Sequence, residues 1–172
     1  MKLLLTLTAA VALLGSAAQD HHSQMNARGA KAMGFDQAAT THHFYLYDDG
    51  GSIQVTVKEA KDQANLDAIR MHLPHIATMF AAGDFSAPHF VHDDDVPGTE
   101  RMTRLRDRIS YRYTDIPGGG RVRITTRDPD ARAAAHEFLK YQITDHRTGD
   151  PTIVTPEVPV SPREIPANRL PR

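Results

Sequence analysis

The sequence predicts an α+β domain made of two ββα units, whose four strands form one antiparallel sheet with both helices on one face. Two observations carry this. Alternating apolar residues occur in two pairs of short runs, each pair joined by a Gly-rich turn, and each pair is followed by a segment with helical apolar spacing. The order strand, turn, strand, helix, Gly-Asp then repeats with a period of roughly 67 residues, SIQVTV matching RVRITT and AAGDF matching RTGDP. Four paired strands covered by two helices on one side make a two-layer domain.

The elements follow in order. Residues 1–18 read as a secretory signal: Lys2 supplies the positive start, Leu3–Leu14 is an apolar run short for a bilayer, and Gly15-Ser16-Ala17-Ala18 offers small residues for cleavage. The expected location is therefore periplasmic or secreted. No cysteine is available for lipid attachment, so no stable membrane anchor is expected after cleavage. Cleavage after Ala18 would begin the chain Gln19-Asp20-His21, where an amine, two amides and a third-position imidazole can form a square-planar Cu(II) or Ni(II) site. A polar start without such a role is the plainer reading of that segment. Residues 19–39 form an N-terminal segment with a short helix from Ser23 to Gly34, Ser23 as its N-cap.

The α+β domain spans 40–150, its repeat units covering about 40–84 and 107–150. Thr40–Lys58 is a hairpin turning at Asp48-Asp49-Gly50-Gly51, with His42 on the face of Phe44 and Leu46 and His43 on the other. Asn65–Asp84 is a helix. Leu66, Ile69, Leu73, Ile76 and Phe80 fall within about 80° on the helical wheel, a buried stripe, while Met71 and His75 point away from it. Pro74 predicts a kink or a restart. Phe85–Gly98 reads as a loop and Thr99–Arg106 as a helical turn or two. Ile109–Tyr113 and Val122–Ile124 alternate around a turn at Pro117–Gly120. Asp128-Pro129-Asp130 opens a helix that runs to about His146 and stops at Gly149. Residues 151–172 hold six of the eleven prolines and are expected to be an extended, disordered tail.

Composition narrows the chemistry. With 20 basic and 21 acidic residues there is no basic excess to draw the chain to nucleic acid, and export argues against that partner as well. The absence of cysteine excludes disulfides, thiolate zinc sites, iron–sulfur clusters and a cysteine nucleophile. There is no GxSxG elbow, P-loop or dinucleotide fingerprint, and HLPH lacks the glutamate and spacing of HExxH. An enzyme is not the expected reading, although hydrolysis by His and Asp stays open. Histidine is the outlier, with ten residues.

The candidate ligands are Met71, His72, His75 and Met79 on the helix, His89 and His92 in the following loop, and His42 on the first strand. Imidazole and thioether together suit copper, with zinc the second choice. Asp67 and Asp93–Asp95 are candidates to orient the imidazoles. The plain alternative is packing: Met at helical spacing usually fills cores, and a loop HxxH fixes little geometry. His146 reads as a packing or capping residue. On the open sheet face, Arg112, Arg121 and Arg123 alternate outward beside His43, Tyr45 and Tyr47; a solvated face is the plain reading, and a surface for an anionic small ligand, a glycan or a partner protein is the alternative.

The run MGFDQ…TTHHF, then IRMHLPHIATMFAAGDFSAP, then RVRITT…AHEFLKYQI and DHRTGDP, resembles an uncharacterised family of small exported (periplasmic) bacterial proteins over about Met25–Pro151. The resemblance implies an exported single domain with the His/Met segments inside its recognisable core, and it carries over no catalytic residue. The expected function is metal binding, copper handling or buffering through His and Met side chains. The alternative is a non-enzymatic module that binds a partner protein or small ligand through the sheet face and the Pro-rich tail.

Overall fold

The computed structural model describes residues 5–157; side chains are described from Gln19 onward. Residues 1–4 and 158–172 lie outside the described part, and with them Lys2 of the expected signal and most of the expected tail.

The chain is α+β, with a four-stranded antiparallel sheet in the order β1-β2-β4-β3. β1 (Thr40–Tyr47) and β2 (Gly50–Val57) form the first hairpin, β3 (Ile109–Ile116) and β4 (Gly119–Thr126) the second. The strands of the second unit begin 69 residues after their counterparts, Ile109 after Thr40 and Gly119 after Gly50. The helix caps are 66 residues apart, Asp62 and Asp128, each accepting backbone N–H bonds from the first turn. The expected repeat is present, shortened by three residues between sheet and helix.

β2 and β4 pair at the centre, Gly50 opposite Thr125 and Thr56 opposite Gly119, a register symmetric under exchange of the two units. The helices cross over. α2 (Gln63–Ala81) packs mainly on β3 and β4, and the last helix (Pro129–Asp145) mainly on β1 and β2. Two glycines fit this crossing. A Cβ on Gly51 would meet Leu139 of the last helix at 2.3 Å, and one on Gly120 would meet Leu73 of α2 at 3.0 Å. The core lies between sheet and helices, where Phe80 stacks on Phe85 at 4.4 Å and meets Phe138 edge-on at 5.8 Å. The predicted stripe of α2 is buried in full, and Pro74 sits inside a continuous helix.

Several expectations change. α1 (Leu5–Met33) is one helix, so Ser23 is an interior residue and not a cap; Gly34, at φ 74°, ends it as expected. Within the expected loop 85–98, Ser86–His92 is a short helix, α3, which the last turn of α2 leads into and on which α1 packs. Pro88 is compatible with it because a first-turn residue needs no intrahelical donor. α4 (Thr99–Arg104) follows, and the last helix is therefore α5. After α5 both Arg147, at φ 53°, and the expected Gly149, at φ 78°, are left-handed, and Arg147 comes first after the cap. The start of the tail is docked: Val154 bridges Leu46 in parallel, Thr155 N–H donates to the Leu46 carbonyl, and Asp150 accepts from Phe44 N–H. The tail supplies polar partners that the exposed edge of β1 otherwise lacks. No helix among the described residues is long and apolar enough to cross a membrane.

The crossing of helices over the opposite hairpin has a stability signature. A Cβ at Gly51 also meets the Tyr45 carbonyl at 2.3 Å, whereas at Gly120 the nearest atoms belong to the Tyr113 and Leu73 side chains. Gly51→Ala is expected to lower unfolding free energy by about 1–3 kcal/mol and Gly120→Ala by less. Urea unfolding of the two variants checks this; equal losses would contradict the packing described.

Candidate metal centre

The sequence-predicted ligands divide into three places. His42 and His92 come together with His146, at the junction of α1, β1, α3 and α5. The His42 and His146 rings are nearly parallel with centroids 5.5 Å apart, and His92 meets His146 edge-on at 5.0 Å. His72 and His75 form a second pair on α2, centroids 6.4 Å apart. Phe35 stands between the two groups, 5.9 Å from His42 and 6.2 Å from His72. His89 stands apart: its Nδ1 lies 3.0 Å from the Asp94 carbonyl and its Nε2 3.2 Å from Thr99 Oγ1, so it closes the α3–α4 connection. Met71 is 76% exposed and His75 is exposed, as the helical wheel implied, while Met79 packs against the core. The five imidazoles do not share one centre.

Each member of the first group is placed by its element. His42 faces the core because strand side chains alternate and Phe44 and Leu46 share its face. His146 caps α5, which the β2–β4 pairing lays across β1. His92 ends α3 and is 2% exposed. Its Nδ1–H donates to Asp145 Oδ2 at 2.5 Å, and its Nε2 lies 3.0 Å from Gln142 Oε1. The other oxygen of Asp145 accepts from His21 Nε2 at 3.1 Å. The orienting carboxylate is thus Asp145. Of the expected ones, Asp67 accepts from Gln63 and Asp93 is an exposed partner of Arg28.

The group joins two spaces. A cavity of about 60 Å³ runs inward between Met33, Phe35, Phe44, Leu73 and Phe80, with His42, His92, Gln142 and His146 at its polar end. A surface cleft of about 320 Å³ lies outside, lined by His22, His42, Lys58 and His146. Gln37, His42 and His146 line both. Two buried nitrogens here have no partner among the described residues, His22 Nδ1 and Gln142 Nε2.

Burial keeps the His42 and His146 rings neutral. Burial, with His43 and Lys58 nearby, lowers the pKa of His42 to about 4. Burial and the neighbouring His42, His92 and His22 put His146 well below its ordinary value. Burial and then His75 lower His72 to about 4. A neutral imidazole has a free lone pair and no proton to displace on binding a metal. Among the described residues, however, no three His, Cys, Asp or Glu side chains are grouped so as to hold an ion as they stand.

Sequence reasoning missed Asp145 and Gln142 and assigned His146 to packing. The signal available was local: Gln142, Asp145 and His146 share the last turn of α5 at spacings of three and four, which puts them on one face. On the opposite side of the sheet, Arg123 lies 4.7 Å from the Tyr47 ring centre and pairs with Asp49 and Glu157, and Glu157 also holds Arg121 at 3.0 Å. Two of the three arginines on that face, Arg121 and Arg123, are held by the chain's own tail, and Arg112 is exposed. Comparison with protein-family models, curated proteins and solved structures finds no match for the chain.

The depressed pKa values set the direction of a pH dependence. His42 and His72 stay unprotonated in the fold to about 4 but take a proton near 6.5 when unfolded. The unfolded chain binds more protons in that window, so the stability present above about 6.5 is lost as pH falls toward 4. The melting temperature should fall between about pH 7 and pH 5, and a His42→Phe/His146→Phe variant should show a flatter slope. Thermal melts across that range check this; an unchanged slope in the variant would contradict it.

Proposed function

We propose that the chain is an exported metal-binding domain, that its ion is copper, and that His42, His92 and His146 are the ligands, with His22 at the cleft mouth. One observation carries the reading: three imidazoles meet ring to ring at 5.0 and 5.5 Å, and the one most deeply buried is already oriented by a carboxylate. The lowered pKa values of His42 and His146 add to it. Cu(I) suits such a group because it is satisfied by two or three soft or borderline donors. Zinc, which takes four ligands in structural sites, has less support because the interior group offers three imidazoles. The role proposed is handling or buffering, with His22 passing the ion between cleft and interior. On α2, Met71, His72 and His75 would form at most a separate binding place, with Met71 and His75 exposed and His72 half-buried.

The second reading, a module binding a partner or small ligand through its sheet face and tail, has less support. Glu157 already neutralises Arg121 and Arg123. Export itself stays part of the proposal, resting on Met1–Ala18.

The test is metal analysis of the untagged exported protein, with Cu(I), Cu(II) and Zn(II) titrated against chelators of known strength. One stoichiometric Cu(I) site is expected. His42→Ala and His146→Ala should remove it, Asp145→Asn should weaken it by about 10–100-fold, and His72→Ala, His75→Ala and His89→Ala should leave it unchanged. The absence of a stoichiometric site, or its loss only with the α2 histidines, would overturn the proposal.

A further inference from the structure

We propose that cleavage after Ala18 creates a second metal site, an amino-terminal Cu(II) chelate of Gln19, Asp20 and His21 anchored on Asp145. It rests on reading Met1–Ala18 as a cleaved signal, and it is independent of copper binding in the interior.

The chemistry needs four nitrogens in a plane: the terminal amine of Gln19, the amide nitrogens of Asp20 and His21, and Nδ1 of His21. That nitrogen, and not Nε2, closes a six-membered ring with its own residue's amide. Among the described residues this atom has no hydrogen-bond partner. His21 turns Nε2 toward Asp145, 3.1 Å from Oδ1, so Nε2–H donates to the carboxylate and the lone pair falls on Nδ1. A carboxylate behind a ligating imidazole fixes its tautomer and raises its basicity. Asp145 is itself held, because its other oxygen binds His92 at 2.5 Å.

The backbone is suited as well. Gln19 and Asp20 are exposed, and the His21 side chain is 48% exposed, so an ion reaches all four donors from solvent. In the cut chain these residues are the first of α1, where backbone N–H groups have no intrahelical acceptor. The amides lose no helical hydrogen bond when they give up their protons. The chelate competes only with the carbonyl bonds of that first turn. Binding releases one proton from each of the two amides and one from the terminal ammonium, so affinity rises steeply with pH.

The site would sit at the same end of the molecule as the interior cluster, through the path His21, Asp145, His92. It takes Cu(II) at a square-planar set of nitrogens, whereas the interior offers imidazoles alone to Cu(I).

The experiment uses the full chain exported and processed by a bacterial host. Intact mass establishes the first residue and whether Gln19 has cyclised. Cu(II) is then added in the presence of glycine and followed by visible absorption and electron paramagnetic resonance. The expected result is a chain starting at Gln19 with a free amine and one Cu(II), showing the violet band of a square-planar four-nitrogen complex. That species should be absent in His21→Ala, intact in His42→Ala, and weakened about 10–100-fold in Asp145→Asn. A chain that starts elsewhere, or whose Gln19 is cyclised, overturns the site; the former also removes the cleavage reading on which it rests. A chain with free Gln19 that gives no such species, or keeps it in His21→Ala, overturns the site and leaves the cleavage reading standing.

Discussion

The antiparallel pairing of β2 with β4 is the interaction on which the rest depends. It joins two hairpins into one sheet and sets them in a symmetric register. Each helix then buries its apolar stripe on the opposite hairpin, Leu73 over Gly120 and Leu139 over Gly51. This crossing carries the end of α5 to the first strand. Without it His146 would not reach His42, nor Asp145 reach His92. The histidine group is therefore a product of the tertiary arrangement, built from four elements none of which could position it alone.

The two units share a frame but differ in what they place on it. The residue equivalent to His42 in the second hairpin is Tyr111, which packs edge-on against Phe80. The residue equivalent to His146, at the 66-residue spacing of the helix caps, is Phe80 of α2. One end of the domain is thus an ordinary aromatic core, and the other substitutes imidazoles and leaves a cavity and a cleft on either side of them. Packing alone accounts for neutral rings stacked on Phe35 and Phe44. It does not account for the carboxylate and amide on His92 or for the unpartnered His22 Nδ1 beside the group.

Much of the fold was legible in local patterns. Alternation at Thr40–Lys58 gave the hairpin and put His42 inward and His43 outward. The wheel over Asn65–Asp84 separated Leu66, Ile69, Leu73, Ile76 and Phe80 from Met71 and His75. Asp128-Pro129 marked the start of α5. The less legible parts depend on contacts distant in sequence. α3 reads as a loop because its seven residues contain Pro88 and too few apolar positions to set a period, and it is held by α1. Prolines made the tail look free, yet Thr155 and Glu157 find partners on β1 and β4. The site shows the same division. His42 and His92 each meet His146, whereas Phe35 separates His72 and His75 from them, and a side chain that partitions two clusters leaves no mark in residue spacing.

The central claim is that copper goes to the interior group and not to the histidines on α2. Two-bond proton–nitrogen spectra of the histidine side chains during addition of one equivalent of Cu(I) test it most directly. The account predicts that the ring nitrogens of His42, His92 and His146 shift or broaden together while those of His72, His75 and His89 stay unchanged. A response confined to His72 and His75, with the interior rings unmoved, would contradict it.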